Sequence, residues 1–536
     1  MNWKCELQDL CLVNGNIITM DPTNPKAEAM VTCGEKIIGV GTCEEMKAIS
    51  GETTKIIDIE GKTILPGFID CHVHLPSSGA LLTQLNLKDA KSIENIKEKI
   101  RIEAGKKAPG AWIVGRGWDN TILAEKRFPT RWDLDAAAPN NPVLLVRICT
   151  HIVLVNSKAL ELVNITRNTE SPLGGQIDKD PETNEPTGIL RETATSLVRS
   201  IVSFSDEEYL SNIRAVFELA VSKGITSIHA LPELDLAVAP QWKALQTLLM
   251  QNELPIRIYF LIPEESLYPL IDLGLATSFG NSKLKIGSIK VFMDGALGGR
   301  TAALLEPYCD DLENSGIQVY TGEQLQEIVK TAHESDFQLA IHCIGDKAVT
   351  VALNSIESAL EEKPKPDHRH RIEHASVLNK ELIWRMHKLG VVASVQPPFV
   401  FSDTWISDRI GEKRSRFVYA FNSMLNEGVK LAAGSDAPTE EMNPLFGIQI
   451  LVSRETSTKE IYFLEEQISV EQAIRMYTLD AAYASFEEYM KGSIEPGKLA
   501  DFVVLSDDPL QVPIDKISEI NVEMTIVGGK IVYSKF

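Results

Sequence analysis

Residues 67–74 read Gly-Phe-Ile-Asp-Cys-His-Val-His and follow a Leu-Pro pair. An apolar, β-prone run therefore ends in two histidines, His72 and His74, separated by one residue. Because side chains alternate between the two faces of a strand, both imidazoles are expected on one face, where they can bind one metal ion. A pair of surface histidines on an edge strand would give the same short pattern. The rest of the chain decides between these interpretations.

Seven further short apolar runs follow this first strand, and segments with helical periodicity separate them. The runs lie at residues 224–230, 256–261, 286–294, 338–343, 371–374, 391–396 and 429–436. Residues 323–335 and 348–360 are two of the helical segments. Eight strands that alternate with helices predict an α/β fold, the (β/α)₈ TIM barrel, with strand one within residues 65–77 and the remainder within residues 201–490.

Both ends of the chain, residues 1–64 and 491–536, contain short alternating strands broken by Gly and Asn. Each end is too small to bury a core alone, so we expect the two ends to pair into one small β-sandwich. Residues 78–200 interrupt the strand and helix alternation. So long an excursion after strand one is typical of an insertion or substrate domain, and a strand-like run at 143–147 is assigned to it because a ninth barrel strand would break the count.

The overall composition excludes some classes of partner. The 536 residues carry a formal net charge of -21, which argues against nucleic acid because polyanions require clustered Lys and Arg. The N-terminus lacks the pattern of a signal peptide, and no apolar run reaches the length of a membrane span. We therefore expect a cytoplasmic protein that acts on a small molecule and binds neither nucleic acid nor membranes.

Candidate metal ligands occur at the C-terminal ends of four predicted strands. They are His72 and His74 on strand one, His342 on strand five, His374 on strand six and Asp436 on strand eight. Any one of these histidines alone would more often be an ordinary core or surface residue. Together they indicate a metal site, because barrel enzymes carry their chemistry at this end and imidazole plus carboxylate suits zinc or a similar divalent ion.

Lys290 lies within the apolar run of strand four, where burial and nearby cations would disfavour its ammonium form. One interpretation is a lysine that extends to the rim or pairs with Asp294. The other is a neutral amine that captures carbon dioxide and forms an anionic carbamate, which can bridge two metal ions. The sequence alone leaves both open.

Five motifs resemble those of the amidohydrolase superfamily. They are residues 66–74, ending in His-Val-His, Ile-Lys-Val-Phe-Met-Asp-Gly-Ala-Leu-Gly at 289–298, Ile-His-Cys-Ile-Gly-Asp at 341–346, Arg-Ile-Glu-His-Ala at 371–375 and Ala-Gly-Ser-Asp-Ala-Pro at 433–438. In the insertion, Gly-Arg-Gly-Trp-Asp at 115–119 and Asn-Ser-Lys-Ala-Leu at 156–160 resemble the amidohydrolase-3 branch, which includes the N-substituted formamide deformylases.

The resemblance implies two divalent metal ions, with zinc as the expected metal. His72, His74 and Asp436 would bind one ion, His342 and His374 the second, and carboxylated Lys290 would bridge the two. Asp436 would act as the general acid and base. His229 or His151 would supply a further hydrogen-bond donor to the tetrahedral intermediate. The resemblance also makes a homodimer plausible.

Several residues are candidate substrate contacts because they lie in loops or in the insertion. They are Trp118, Asp119, His151, Arg191, Arg300 and Gln396. Structural interpretations stand beside these roles, since Trp118 could anchor the insertion and Arg191 could form a surface pair with Glu192. Asp346 could orient a metal ligand or cap the following helix.

These observations predict a metal-dependent hydrolase that cleaves a carbon–nitrogen bond in an amide, formamide or cyclic amide with a metal-activated hydroxide. The first alternative is a mononuclear deaminase acting on an aminated heterocycle. Such enzymes typically carry a Glu soon after the strand-five histidine, whereas Cys-Ile-Gly-Asp follows His342. The second alternative is a barrel that serves as a non-catalytic scaffold, for which the loss of metal ligands would be expected.

Overall fold

A computed structural model of the protein describes residues 9–147, 152–172, 175–202, 205–232 and 238–535. The chain forms two compact units. The first combines Met1–Ser78 with Val216–Phe536, and the second is Gly79–Ala215. The predicted insertion, residues 78–200, corresponds to most of the second unit.

Eight parallel strands form the centre of the first unit. They are β1 (Phe68–His74), β2 (Ile225–Leu231), β3 (Arg257–Pro263), β4 (Leu284–Phe292), β5 (Leu339–Cys343), β6 (Arg371–His374), β7 (Val392–Val395) and β8 (Lys430–Ala433). They pair in sequence order, each with the next. All eight coincide with predicted runs, so the predicted α/β barrel is confirmed.

Contacts between the first and last strands nearly close the barrel. Val73 forms a parallel bridge with Ala437, just beyond the end of β8. The His74 N–H donates to the Ala437 carbonyl over 2.9 Å, and the Asp436 N–H donates to the His72 carbonyl over 2.8 Å. Strand-end residues from opposite ends of the sheet are thereby brought together.

Helices alternate with the barrel strands and follow the sequence signals for capping. Thr321 caps the helix Gly322–Glu334 in a capping box with Gln324, and its apolar residues face the core. The other helices of the barrel region are Asp206–Ser222, Val238–Met250, Leu267–Asp272, Asp346–Glu362, Lys380–Leu389, Phe399–Ser402, Ile406–Ile410, Glu412–Ser415, Phe421–Glu427, Pro444–Ser453, Val470–Met476 and Leu479–Tyr483. Across the described ranges, no helix is long and apolar enough to cross a membrane.

The two chain ends form two further sheets of the first unit. One has the strand order Lys36–Gly41, Ala29–Cys33, Leu10–Val13, Lys55–Asp58, with the helix Cys43–Ile49 beside it. The other has the order Lys530–Ser534, Val522–Val527, Phe502–Leu505, Thr63–Pro66, Asn16–Ile18, Lys26–Ala27. Residues of both sheets share one buried cluster that includes Leu12, Ile64 and Phe502. The predicted pairing of the two chain ends is therefore present.

The second unit is built around a six-stranded sheet with a hydrophobic cluster of its own on each face. The strand order is Gly175–Lys179, Pro186–Glu192, Ile152–Val155, Val143–Arg147, Ile113–Trp118, Leu85–Asn86. Its helices are Ile93–Ala104, Arg131–Asp135, Ser157–Leu162 and Ser196–Arg199. Alternate residues of the central strand go to opposite clusters, Val143 to one and Leu144 to the other. The unit therefore has the core of a separate domain.

Candidate metal centre

Three predicted metal ligands meet at the carboxyl end of the barrel. His72, His374 and Asp436 are buried, and one ligand atom of each lies within 4.8 Å of those of the other two. Oδ1 of Asp436 is 3.4 Å from Nε2 of His72, and the rings of His72 and His374 have centroids 4.9 Å apart. These three residues come from β1, the end of β6 and the loop after β8, so the barrel assembles the cluster from distant parts of the chain.

Unusual backbone conformations direct two of these side chains. His374 has φ +71° and Asp436 has φ +60°, in the left-handed region that non-glycine residues rarely occupy. In a regular strand, Glu373 and His374 would point to opposite faces. Both nevertheless contact His72, because the positive φ at His374 breaks the alternation. The strained backbone therefore lies at two candidate ligands and sets the direction of their side chains.

Asp70 fixes β1 against the loop after β8. Its Oδ1 accepts the N–H groups of His72 at 3.2 Å and Ser435 at 2.9 Å. The backbone approaches most closely at Gly434, where a Cβ atom would lie 2.6 Å from the His72 nitrogen. Burial raises the pKa of Asp70 to about 6, against the opposing effect of these hydrogen bonds. This contact sets the distance between His72 and Asp436.

Hydrogen bonds define which nitrogen of each histidine is free. Nδ1 of His72 is 2.6 Å from Oε2 of Glu373, and Nδ1 of His374 is 2.6 Å from Oε1 of Gln396. Nε2 of His342 is 3.0 Å from the Gly295 carbonyl oxygen. Each of these oxygens can only accept a hydrogen bond, so the ring nitrogen that faces it carries the hydrogen. The other nitrogen of each ring keeps its lone pair, which is the tautomer that a metal ligand requires.

His74 and His342 lie next to the three-residue cluster. Nε2 of His74 is 3.3 Å from Oδ1 of Asp436, and the His342 ring centroid is 4.4 Å from that of His374. Their predicted roles as ligands stay predictions, but the structure brings all four histidines and Asp436 to the same end of the barrel.

Lys290 is fully buried on β4, and its Nζ has no hydrogen-bond partner among the described residues. It neither reaches the rim nor pairs with Asp294, whose carboxylate accepts the N–H groups of Ala303, Ile344 and Gly345. Nζ lies 4.5 Å from the centroid of the Phe292 ring. Burial lowers the pKa of Lys290 to about 8, although Glu373 and Asp436 oppose the shift.

The electrostatics of the cluster fit a divalent cation. Burial and adjacent positive charge lower the pKa values of His72 and His374 well below the usual value, and that of His342 to about 3, so the rings are neutral. Burial raises the pKa of Asp436, but His72 and His74 outweigh it, and the net pKa is lowered. Oδ1 of Asp436 accepts no hydrogen bond within the described structure. Neutral imidazoles beside an unsatisfied carboxylate oxygen and a buried amine form a suitable donor set.

His229, a predicted hydrogen-bond donor, lies in the interior on β2. Its Nδ1 is 2.9 Å from Nη1 of Arg371, and its ring packs 5.1 Å from that of Tyr259. Because a guanidinium can only donate, Nδ1 of His229 accepts and Nε2 carries the hydrogen. Nε2 is buried and has no partner in the described chain.

Three other predicted residues of the barrel unit have identifiable partners. Gln396 is buried, and its amide contacts His374, a candidate metal ligand, and the Ser394 carbonyl. Arg300 binds Asp310 through two nitrogens, at 2.8 and 3.1 Å. Asp346 begins the helix Asp346–Glu362, and its Oδ1 accepts the Leu305 N–H.

The predicted contacts in the insertion have partners within that unit. Trp118 is fully buried in its core and donates from Nε1 to the Leu145 carbonyl, which supports its anchoring role. Asp119 pairs with Arg147 at 2.9 Å. Nη2 of Arg191 is 2.7 Å from Oδ2 of Asp178, and the suggested surface pair with Glu192 stays a prediction. His151 lies outside the described residues. Substrate binding by these residues stays a prediction.

Glu373 and Arg371 are not among the predicted site residues. Both are fully buried, and Glu373 accepts hydrogen bonds from Arg371 and from His72. Their spacing was one signal, because two charged residues at i and i+2 of a strand share a face. Burial of that face would have made them a candidate pair.

A nearly closed parallel barrel that gathers histidines and an aspartate at its carboxyl end defines a class of metal-dependent hydrolases. A family model described as "Amidohydrolase family" matches residues 55–533. The chain therefore belongs to the amidohydrolase family, in the amidohydrolase-3 branch that its motifs indicate.

Relatives match along nearly the whole chain. The chain is 34% identical over 536 residues to the protein LONG AFTER FAR-RED 3 of Arabidopsis thaliana, covering 98% of this chain and 91% of that one. It is 28% identical over 551 residues to the N-substituted formamide deformylase of Arthrobacter pascens, covering 99% of each. An uncharacterized metal-dependent hydrolase from Pyrococcus furiosus superposes with a TM-score of 0.81 at 32% identity, covering 94% of this chain and 100% of that one.

Proposed function

We propose that the protein hydrolyses a carbon–nitrogen bond in an amide, a formamide or a cyclic amide. The observation that carries the proposal is the cluster of His72, His374 and Asp436, in which protein acceptors hold one nitrogen of each ring and leave the other free. The similarity to an N-substituted formamide deformylase supports the choice of bond.

Two divalent ions, with zinc as the expected metal, suit the residues at this end of the barrel. His72, His74 and Asp436 would hold one ion, and His342 and His374 the other. When bound, such ions acidify a water molecule and polarise the substrate carbonyl. The neutral tautomers of the histidines and the ionised state of Asp436 leave these residues ready to act as ligands near neutral pH.

Lys290 would complete the site as a carbamate. The lone pair of its neutral amine attacks the carbon of carbon dioxide, a nitrogen–carbon bond forms, one carbon–oxygen π pair moves to oxygen, and one proton is released. The product is an anion with two oxygens that both ions can share. The pKa of Lys290, about 8, makes the reactive neutral amine accessible near neutral pH. Nζ forms no hydrogen bond with a described residue.

Asp436 is the proposed proton carrier. Its lowered pKa keeps the carboxylate ionised, so it can accept a proton from the attacking water and deliver it to the departing amine nitrogen. Its free Oδ1, 3.3 Å from His74 and 3.4 Å from His72, is the oxygen available for this transfer. Nε2–H of His229 remains a proposed further donor.

The test is a substrate panel assayed with protein of measured metal content. We expect about two divalent ions per chain, release of an amine from N-substituted formamides, acyl amides or cyclic amides, loss of activity with a chelator, and recovery with zinc or another divalent ion. Free ammonia from aminated heterocycles would support the deaminase instead. A protein that carries its metals and remains inert across amides, formamides, cyclic amides and heterocycles would refute the hydrolase.

A further inference from the structure

Glu373 and Arg371 form a fully buried ion pair directly behind His72. Both side chains have no exposed surface. Nε of Arg371 is 2.8 Å from Oε1 of Glu373, and Nη2 is 3.1 Å from Oε2. The carboxylate is therefore held by two parallel hydrogen bonds, the geometry in which a guanidinium restrains a carboxylate most strongly.

The remaining hydrogen bonds of Arg371 tie it to three other strands. Nη2 also donates to the Cys71 carbonyl on β1 at 3.0 Å and to Oγ of Ser394 on β7 at 2.9 Å. Nη1 donates to Nδ1 of His229 on β2 at 2.9 Å. Because four strands hold the guanidinium, Glu373 cannot move away from the position in which it meets His72.

We infer that Glu373, held by Arg371, is a positioning residue for the metal centre. Its Oε2 accepts the Nδ1–H of His72 at 2.6 Å, which fixes both the ring orientation and the tautomer. With the hydrogen on Nδ1, the lone pair of Nε2 is directed to the side of Asp436, 3.4 Å away. Without this acceptor, the ring could rotate or carry its hydrogen on Nε2, and neither state can bind a metal ion.

A matched control exists at the other end of the barrel. Arg257 and Asp501 form a second buried pair with the same two-pronged geometry, at 2.6 and 2.8 Å. Asp501 also accepts the Gly528 N–H, and it contacts no candidate metal ligand. Loss of either pair removes a buried charge contact, but only loss of the Glu373 pair alters a histidine of the cluster.

The experiment compares Glu373→Gln with Asp501→Asn by zinc titration against a competing chelator and by thermal unfolding of the metal-free proteins. We expect a zinc affinity roughly 10 to 100-fold weaker for E373Q, the usual size of an effect on an outer partner of a metal-bound histidine. D501N should keep the wild-type zinc affinity, although both variants unfold at lower temperature. Equal zinc affinity in E373Q and wild type would overturn the inference.

A second measurement examines the wild-type protein and needs no variant at Glu373. In metal-free wild-type protein with ¹⁵N-labelled histidine, the His72 ring, assigned by its loss in His72→Asn, should show a protonated Nδ1 and an unprotonated Nε2. The opposite tautomer would overturn the inference. The inference rests on the proposed metal site, but the two can fail separately. Wild-type protein that binds no divalent ion refutes the proposed function, whereas the tautomer still decides the role of Glu373.

Discussion

Two buried lysines at opposite ends of the barrel differ in a way that separates structure from function. Lys491 is 2% exposed, and its Nζ lies 2.7 Å from Oε2 of Glu487 and donates to Oγ of Ser227 at 2.7 Å. Lys290, with no exposed surface, has no hydrogen-bond partner among the described residues. Both amino groups are buried, but among the described residues only that of Lys491 has a carboxylate partner.

The carboxylates at the two ends differ in the same way. Near the amino ends of the strands, both oxygens of Asp501 are bound by Arg257. At the carboxyl end, Oδ1 of Asp436 accepts no hydrogen bond from a described residue. Buried polar groups are satisfied in the great majority of cases, so an unsatisfied lysine and carboxylate beside three neutral histidines indicate a place reserved for a ligand.

The largest expected effect is a loss of catalysis when Asp436, the carboxylate with the unsatisfied oxygen, is substituted. Asp436→Asn removes the proposed proton acceptor and one proposed ligand charge, and we expect kcat to fall by roughly 10³-fold or more on whichever amide the wild type hydrolyses. The variant should unfold at about the wild-type temperature, because no hydrogen bond to Oδ1 is lost. A kcat within tenfold of wild type, measured at full metal content, would contradict the assigned role.

The two lysines can be exchanged for the same uncharged residue. Lys290→Met should lower activity by roughly 10²-fold and reduce the metal content, while the stability of the metal-free protein is unchanged or increased, because an unpaired buried charge is removed. Mass spectrometry under non-denaturing conditions should show the added mass of one carbon dioxide in wild type only. Retention of two metal ions by K290M would exclude the carbamate.

Lys491→Met is the counterpart at the other end. This substitution leaves Glu487 buried with Lys285 as its remaining ion-pair partner and Ser485 as a hydrogen-bond donor, so we expect a loss of about 3 kcal/mol in the free energy of unfolding. Metal content and kcat should be unchanged in the folded fraction. If K290M destabilised the protein more than K491M did, the contrast between the two ends would be wrong.

Acid should weaken the ion pairs of Glu487 in a defined pH range. Burial raises the pKa of Glu487, but Lys491 and Lys285 outweigh it and lower the pKa to about 2, against 4.5 in the unfolded chain. The unfolded state therefore binds more protons between these values, and the stabilisation present above pH 4.5 is lost as the pH falls toward 2. We expect Glu487→Gln to be less stable than wild type by about 3 kcal/mol at pH 7. Denaturant titrations from pH 7 to 3 should show the difference shrinking below pH 4.5, and a constant difference would contradict this account.

The smallest expected effect concerns Arg300, an exposed predicted substrate contact. Its pair with Asp310 lies at the surface, so Arg300→Ala should change the stability little. If Arg300 also binds substrate, KM should rise with kcat unchanged. Asp310→Ala is the control, because it breaks the same pair and keeps the guanidinium. Equal KM values in the two variants would exclude a substrate contact by Arg300.

Much of the fold was predictable because it depends on local patterns. The eight barrel strands are short apolar runs, and helical periodicity lies between them, so their order and spacing defined the barrel. The residues of the candidate metal centre were predictable because they lie at the C-terminal ends of those runs. His72 and His74 illustrate this, since a period of two places both rings near Asp436.

The outer partners of the cluster were not predictable in the same way. Glu373 and Arg371 look like ordinary charged residues until neighbouring strands bury them, and their partners come from three other strands. Gln396 was predicted from its position at the mouth, but the positive φ of His374 turns that ring toward the Gln396 amide. Such contacts depend on the closed barrel, which no local pattern contains.

The strand Thr63–Pro66, just before β1, pairs with Phe502–Leu505 near the other end of the chain, and the first barrel strand meets the last at Asp436. A nascent chain leaving the ribosome consequently holds His72 for most of its synthesis without the residues that complete its surroundings. A metal ion that needs all of these ligands can bind only after Asp436 has been synthesised, and chains that terminate early would expose unpaired strand edges, which makes them targets for chaperones and proteases.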